Sequence, residues 1–517
     1  MAANVAFIRP ELAAMLPKYR LIRDCLAGED HIKKQGKVYL PMPNPADTSA
    51  ENIARYNGYK TRAVFYNVTR RTVGGLTGQV FARDPVSEIP DQLDAIEKDA
   101  TGTGVTAAQQ SKRILNFVSS YGRSGVYVDY PDTGGETTIA DIQSGRVRPT
   151  ITVCDPKTVI NWRVMEFGAL TKLALVVIAE TWPFADDGFE LKFGCQFRVM
   201  SLDFAQDAEG NATGEPRYRV DVWREPSPSV WNGQEIPKGK NFAIHSTYYP
   251  TGPSGESIDE IPFMFVGSEN NDTEIDNPPI YDLASLNVAH YRNSADYEEA
   301  CYVMGQPTYW FSGLTKEWVD DVLKGQIRLG SWGGVMLPPN SQGGLLQMQP
   351  NTMPFEAMGH KENQMVALGA KLVEKKTVQR TATEAEQDEA AESSSLASMA
   401  KNVSAAMSWA FDWCAYFTGL GDETECVYTL NTDFDLMKLT PAERLQTIKE
   451  WQGGALTFSE MRAVLRKGGV ATEDDKEAKK QIDQEKADEI AAAAAAMGDD
   501  PNQPKPNDPS NVGSGGA

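Results

Sequence analysis

Apolar positions between Glu51 and Phe81 recur mostly three and four residues apart: Ile53, Tyr56, Tyr59, Ala63, Tyr66, Val73, Leu76 and Val80. That period predicts one buried helix face, broken around Gly74 and Gly75 and stopped by Asp84-Pro85. A second helix is expected over Ala107–Tyr121, with Ile114, Leu115, Phe117 and Val118 on its apolar side, before a glycine turn into the strand VYVDY. Residues 149–266 change period. The runs ITV, LALVVIAETW, FGCQFRVMSL, YRVDVWRE and PFMFVG, parted by Asp-, Gly- and Pro-rich turns, predict a β-rich module.

Helix returns from Ile280 to Met304, opened by a Pro-Pro pair and closed by Gly305-Gln306-Pro307. The stretch 308–352 holds WFSG, IRLGSWGGVMLPP and GGLLQMQP, which predict short strands and tight turns, hence a small β insertion. A helix over Phe355–Val373 follows, interrupted by KKTVQRTAT, and the longest helix is expected to begin near Glu384. In it Leu396, Met399, Val403, Ala406, Ala410, Trp413 and Phe417 alternate three- and four-residue steps, a continuous seam. A strand around CVYTLNTDF, a helix from Thr440-Pro441 and a charged helical segment over Glu473–Ile490 complete the pattern. The class expected is α+β.

The chain has 517 residues, of which 41% are hydrophobic, enough for roughly three domains with real cores. Its longest apolar run, Ala491–Met497, is far short of the roughly 20 residues a membrane span needs, and the N-terminus has no basic export region. No membrane partner is expected. The six cysteines form no CxxC, so neither a zinc cage nor a disulfide framework is expected, and sequons at Asn67, Asn211, Asn271 and Asn402 read as chance.

Net charge is -21, which argues against tight wrapping of nucleic acid, because that relies on Lys and Arg replacing counterions around phosphates. An acidic wall instead leaves DNA free to slide. The end of the chain, 471–517, carries eleven Asp or Glu against five Lys, and 491–517 reads as a disordered acidic tail.

Catalytic signatures were sought by the chemistry each requires. No phosphate-cradling GxxxxGK[ST], no GxGxxG after a strand and no HExxH occurs. GRSG at 122–125 and GPSG at 252–255 lack the glycine spacing of a nucleophile elbow and read as turns. His31, His245, His290 and His360 are scattered. No catalytic residue, metal ligand or cofactor is expected, and the chain is not expected to be an enzyme.

Four stretches carry a family resemblance: YNGYKTRAVFYNVTRRTVGGLTGQVFARDP at 56–85, YGRSGVYVDYP at 121–131, PPIYDLASLNVAHYRNSADYEEACYVMGQP at 278–307 and LTFSEMRAVLRKGGV at 456–470. Together with the order of elements from about residue 5 to 490, they resemble the portal proteins of tailed bacteriophages, in particular a portal-like family of uncharacterised phage proteins.

The resemblance implies an N-terminal segment (1–49), an α/β wing that is helical and then β-rich (50–277), a first stem helix (278–304), a small β-containing clip (305–353) and a second stem helix (354–373). A channel or tunnel loop (374–384), a long wing helix with its strand (385–436), a helical crown-side region (437–490) and the tail (491–517) follow. It further implies a homo-oligomeric ring of twelve subunits at one capsid vertex, assembled in the host cytoplasm, as the channel for DNA packaging and ejection. Its partners would be terminase, head-completion, adaptor or tail proteins, the major capsid protein, and double-stranded DNA passing without sequence specificity.

Within that frame Lys371, Lys375, Lys376 and Arg380 are four cations in ten residues. Repeated around a ring they would form a girdle in the channel; alternatively they are a solvated helix end complementing the helix dipole. Trp332, set in GSWGGVMLPP, would be a clip contact for a motor or adaptor, or a local core residue. The cluster Arg55, Lys60, Arg62, Arg70, Arg71 and Arg83 is expected to form ion pairs with neighbouring elements or subunits rather than to bind DNA. Two other readings compete: a capsid or tail-tube subunit, and a hydrolase whose site assembles only in space, marked by a perturbed carboxylate or histidine in a closed pocket.

Overall fold

A computed structural model describes the chain except residues 1–3, 131–146, 168–169, 207–211, 234, 238, 307, 323, 325–335, 347–351, 373–393, 422–424, 435–440, 468–470, 472–474 and 498–517. It divides into two compact units, 1–432 and 433–517.

The first unit opens with α1 (Pro10–Ala27), where Pro10 needs no N–H partner at a helix start, and α2 (Glu29–Gln35). The next helices are α3 (Ala50–Arg62), capped by the Ser49 side chain accepting from Asn52 N, and α4 (Val68–Val80), capped by Asn67 accepting from Arg70 N. The helical face read over Glu51–Phe81 is thus two helices, and its break lies at 63–67, not at Gly74-Gly75. In the break Ala63 and Phe65 are buried while Val64 and Tyr66 are exposed, the two-residue alternation of extended chain. Gly74 and Gly75 sit inside α4 facing open space, and Ile53 is exposed rather than part of the buried face.

β1 (Val86–Glu88) and the short α5 (Asp94–Lys98) precede α6 (Ala107–Tyr121), which starts in a reciprocal cap between Thr106 and Gln109. Gly122 ends α6 in the left-handed region, φ +76°, where a side chain would strike the backbone oxygen of Asp276 at 2.9 Å. β2 (Arg123–Asp129) follows at once. The GRSG stretch is therefore a helix end and strand start, and Ser124 Oγ, buried, donates to Cys154 O at 3.1 Å. GPSG is a turn as well, with Gly252 N donating to Glu256 O.

β3 (Thr150–Cys154) pairs with β2. A five-stranded antiparallel meander then runs β4 (Val159–Phe167), β5 (Leu170–Asp186), β6 (Leu191–Gln206), β7 (Ala212–Arg224) and β8 (Ala243–Tyr248). β9 (Phe263–Gly267) closes a separate antiparallel sheet in the order β3-β2-β9. Gly125 of β2 lies where any Cβ would meet the Phe263 ring at 2.5 Å, so the two strands approach closely only because the residue has no side chain.

The remaining elements of this unit are α7 (Tyr281–Met304), β10 (Thr308–Ser312), α8 (Lys316–Asp321), β11 (Gln342–Leu346), α9 (Met353–Lys371), α10 (Ser395–Phe417) and β12 (Val427–Thr429), which pairs with β1. α10 starts at the Ser394 cap, later than the expected Glu384, because the Ser394 hydroxyl accepts from Ala397 N. Its seam packs on α6, β2 and β9, with Leu396, Met399, Val403, Ala406, Ala410 and Phe417 buried. Trp413 departs from the expectation: it is only half-buried. Phe411 and Tyr428 pack ring to ring, and the Tyr428 hydroxyl meets Ser111 Oγ at 3.0 Å, which joins α10, β12 and α6 into one core.

The second unit holds α11 (Pro441–Gln452), α12 (Phe458–Lys467) and α13 (Asp475–Met497). Residues 491–497, expected within the tail, instead continue α13, as a run of the strongest helix former should. No helix among the described residues is long and apolar enough to cross a membrane. Helices and antiparallel sheets lie in separate blocks of sequence, so the class is α+β.

Candidate functional site

The distinctive construction is the pair α7 and α9 with the β insertion between them. They are antiparallel: His290 meets Glu362 at 3.1 Å, Lys361 donates to Asn293, and the rings of Tyr297 and Phe355 lie 5.9 Å apart, so rising numbers on one helix match falling numbers on the other.

α7 is bolted into the body by polar side chains from Asn287 to Glu299. Asn287, fully buried, accepts from the N–H and hydroxyl of Thr69 and donates to Tyr66 O at 2.8 Å. Ser294 Oγ accepts from Val64 N at 2.8 Å, so the extended break between α3 and α4 finds its backbone partners on α7. Tyr59 donates to Asp296 at 2.6 Å; burial, reinforced by that carboxylate, holds the Tyr59 hydroxyl protonated well above its usual range. Arg62 pairs with Glu299, and its guanidinium stacks 4.0 Å from the Tyr302 ring centroid. Arg55 reaches Glu299 at 3.6 Å.

Beyond Glu299 the polar anchors give way to the Arg62 guanidinium on the Tyr302 ring. Tyr302 and Val303 are exposed, as are Tyr309, Trp310, Leu345 and Leu346 on the β10–β11 hairpin and Met353 and Phe355 at the start of α9. Met365 alone, among the described side chains of α9, is buried. The hairpin is nonetheless well built. Trp310 pairs with Gly344 and Phe311 with Gly343, and each ring lies so close over its glycine that a Cβ there would come within 3 Å of it. Trp318 Nε1 donates to Met336 O at 3.1 Å, tying α8 to the chain that leads into β11. Among the described residues the hairpin exposes its apolar side chains in a single chain.

Of the residues singled out in the sequence, Lys375, Lys376, Arg380 and Trp332 lie outside the described residues. Lys371 is the last residue of α9. Leu396 N donates to Leu372 O at 3.0 Å, so the two points where the chain leaves and re-enters around the expected channel loop are in direct contact. The arginine cluster divides: Arg55 and Arg62 make the expected ion pairs, while Arg70 and Arg71 are exposed on α4.

Two carboxyls are pushed above their ordinary values. Asp129 is raised by burial, opposed by Arg198 at 3.4 Å, and belongs to a charge network with Glu180 inside the sheets. Glu260 is raised by burial beside Trp409 and Trp413 in a groove of about 540 Å³. His290 is held by Glu362 on the helix pair, away from both. Among the described residues no three His, Cys, Asp or Glu are grouped to hold a metal ion. Sequence reasoning missed Asn287, although its signal was present: it occupies an apolar position in the series Leu283, Ala284, Asn287, Val288, Tyr291.

Known proteins bear on this chain as follows. No curated protein matches it. A family described as a domain of unknown function (DUF4055) matches residues 279–418, the span from α7 through α10. Among solved structures, it is similar to a chain in the neck of an empty GTA particle, with 14% identity over 77% of this chain and 89% of that one and a TM-score of 0.39. It is also similar to a chain in the virion of a native gene transfer agent (GTA) particle, with 12% identity, 84% and 98% coverage and a TM-score of 0.38. A third similarity is to a chain in the neck of the native particle, at 14% identity, 77% and 89% coverage and a TM-score of 0.38. Likenesses this distant leave the chain's role to be argued from its own residues.

Proposed function

We infer that this chain is the subunit of a phage portal, a virion part that builds a ring of twelve copies at one capsid vertex. The observation that carries the reading is the α7–α9 projection, anchored at one end by Asn287, Ser294, Asp296 and Glu299 and apolar and uncovered at the other. Exposed apolar side chains gathered on one hairpin and the adjoining helix ends mark a surface suited to contact with another protein. Copies of the same chain, side by side about an axis, would cover every projection at once, with α7 and α9 as the stem and the β10–β11 hairpin with α8 as the clip.

The channel reading adds the charge. A wall drawn from a chain of net charge -21 repels the DNA backbone, so the duplex slides instead of sticking. The segment between Leu372 and Leu396, carrying Lys375, Lys376 and Arg380, would supply weak cationic contacts toward the axis, with Lys371 at its edge. Trp332, between α8 and β11, would offer the motor or an adaptor an aromatic anchor. Terminase, head-completion or tail proteins, the capsid protein and DNA are the partners of this reading. It assigns the chain no catalytic step, metal or cofactor.

Negative-stain images and the native mass of the purified chain test it. A ring with a central hole and a mass near a twelvefold multiple is the expected result. A chain that stays single at all concentrations, with its projection in solvent, would refute the reading.

A further inference from the structure

The β5–β6 hairpin ends in a built apolar tip. Phe189 is fully exposed at the turn, and Leu191 and Phe193 beside it are exposed as well. The turn is not loose: Asp186 accepts from Gly188 N at 2.8 Å, Asp187 accepts from Phe189 N at 2.9 Å and Glu190 N at 2.6 Å, and Gly188 takes the φ of +86° the turn requires. Strand pairing continues to the last step, Asp186 with Leu191. The tip is therefore an aromatic knob held rigid and ringed by Asp186, Asp187 and Glu190, the last in an exposed pair with Lys192 at 3.5 Å.

Elsewhere in the same unit is a groove of about 820 Å³ with the opposite character. Its floor is apolar, with Leu12 and Leu16 of α1, Ile160 of β4 and Ile236. Arg20, Arg23 and Lys157 line it too. Arg23 is held by Asp24 at 2.8 Å and Lys157 by Asp155 at 2.9 Å, whereas Arg20 is exposed and has no ion pair among the described residues. One wall is fixed by Trp231, whose indole N–H donates to Glu235 O and whose backbone N–H donates to Phe193 O.

That last bond decides which copy can fill the groove. Phe193 O is bonded to Trp231 of the groove wall, and the paired hairpin runs four residues beyond Phe193 to Phe189, roughly 13 Å at strand rise. The knob projects past its own groove and cannot fold back without breaking the strand pairs. We propose that Phe189 of one copy seats in the α1 groove of the next, the aromatic ring on the apolar floor and its carboxylates facing Arg20, Arg23 and Lys157. A knob on one surface and a socket on another make a head-to-tail contact, the kind that closes into rings. The inference rests on the ring reading and names one contact of that ring. The charge complement steers neighbours into register, while the ring supplies the buried anchor.

The test uses the full chain with Cys301→Ser, which removes the exposed thiol and leaves the five buried ones. Phe189→Cys with Leu16→Cys, oxidised and run without reductant, is expected to give a ladder of covalent multiples well beyond the dimer; neither single variant can. Glu190→Arg and Arg20→Glu should each raise the concentration at half-assembly about tenfold, and the two together should restore it. Native mass of the unmodified chain comes first: a chain that stays single sinks the ring reading and this contact with it. A ring that assembles equally well with Phe189→Asp, at unchanged melting temperature, and yields no ladder overturns the contact alone.

Discussion

Asn287 accepts hydrogen bonds from both the backbone N–H and the hydroxyl of Thr69, at 3.2 and 2.9 Å, across 218 positions of sequence. Both residues are fully buried, and the same Asn287 amide donates to Tyr66 O. Asn287→Ala would leave the buried N–H and hydroxyl of Thr69 without partners, while Tyr66 O keeps Val68 N at 2.8 Å, so the expected loss is about 2–4 kcal/mol, at roughly 1–3 per stranded group with partial relaxation. Urea denaturation measures it. A variant within about 0.5 kcal/mol of the parent would mean that α7 is not fastened to the body through this residue.

The seam of α10 gives a graded expectation. Met407 is fully buried, and Met407→Ala should cost about 2–5 kcal/mol. Trp413 is half-buried at the edge of a groove, edge-on to Tyr416 and tilted against Phe417, so Trp413→Ala should cost clearly less than the roughly 3–5 kcal/mol of a fully enclosed Trp. Equal or reversed costs in matched denaturation curves would contradict the packing described.

At the β5–β6 tip, hydrogen bonds from the amides of Glu190 and Phe189 hold the Asp187 carboxyl below its usual value. A depressed native pKa means the carboxylate's contribution is complete above the unfolded value of about 3.9 and is lost as pH falls through the native one. The turn is therefore fully ordered at neutral pH and loosens only in acid. Asp187→Ala should mimic acid at pH 7.5, speeding chymotryptic cleavage after Phe189 several-fold with overall melting unchanged. An unaltered cleavage rate would show that Gly188 alone sets the turn.

On the portal reading proposed above, replacing Lys375, Lys376 and Arg380 together by Ala leaves ring assembly intact and alters the length of genome retained in particles. Contacts that break at every packaging step have to be weak and screened by salt. Assembly failing first would place these residues at a subunit interface instead.

Much of the architecture was legible because period and punctuation agree. Ile280 to Met304 reads as a helix between a Pro-Pro pair and Gly305, and the helix observed starts one residue later and ends where expected. The region 51–81 misled because Ala63 and Tyr66 fit a helical period by coincidence, while the chain between them is extended and its hydrogen bonds go to Ser294 and Asn287, more than two hundred residues away. Local pattern carries no information about such partners. The groove on α1 was invisible for the same reason: its floor combines residues of α1, β4 and the 229–237 loop, and only folding brings Leu16 near Ile236. The channel-loop cations and Trp332 rest on the family resemblance and their local sequence setting, and Lys375, Lys376, Arg380 and Trp332 lie outside the described residues.

The antiparallel closure of α7 and α9 places Tyr297 and Phe355 side by side, so everything between Met304 and Met353 leaves and returns through one narrow doorway. A segment mounted in this way is a cartridge. Its length and sequence can be rewritten, or it can be replaced by a few glycines, while the body below keeps its hydrogen bonds at Asn287 and Ser294.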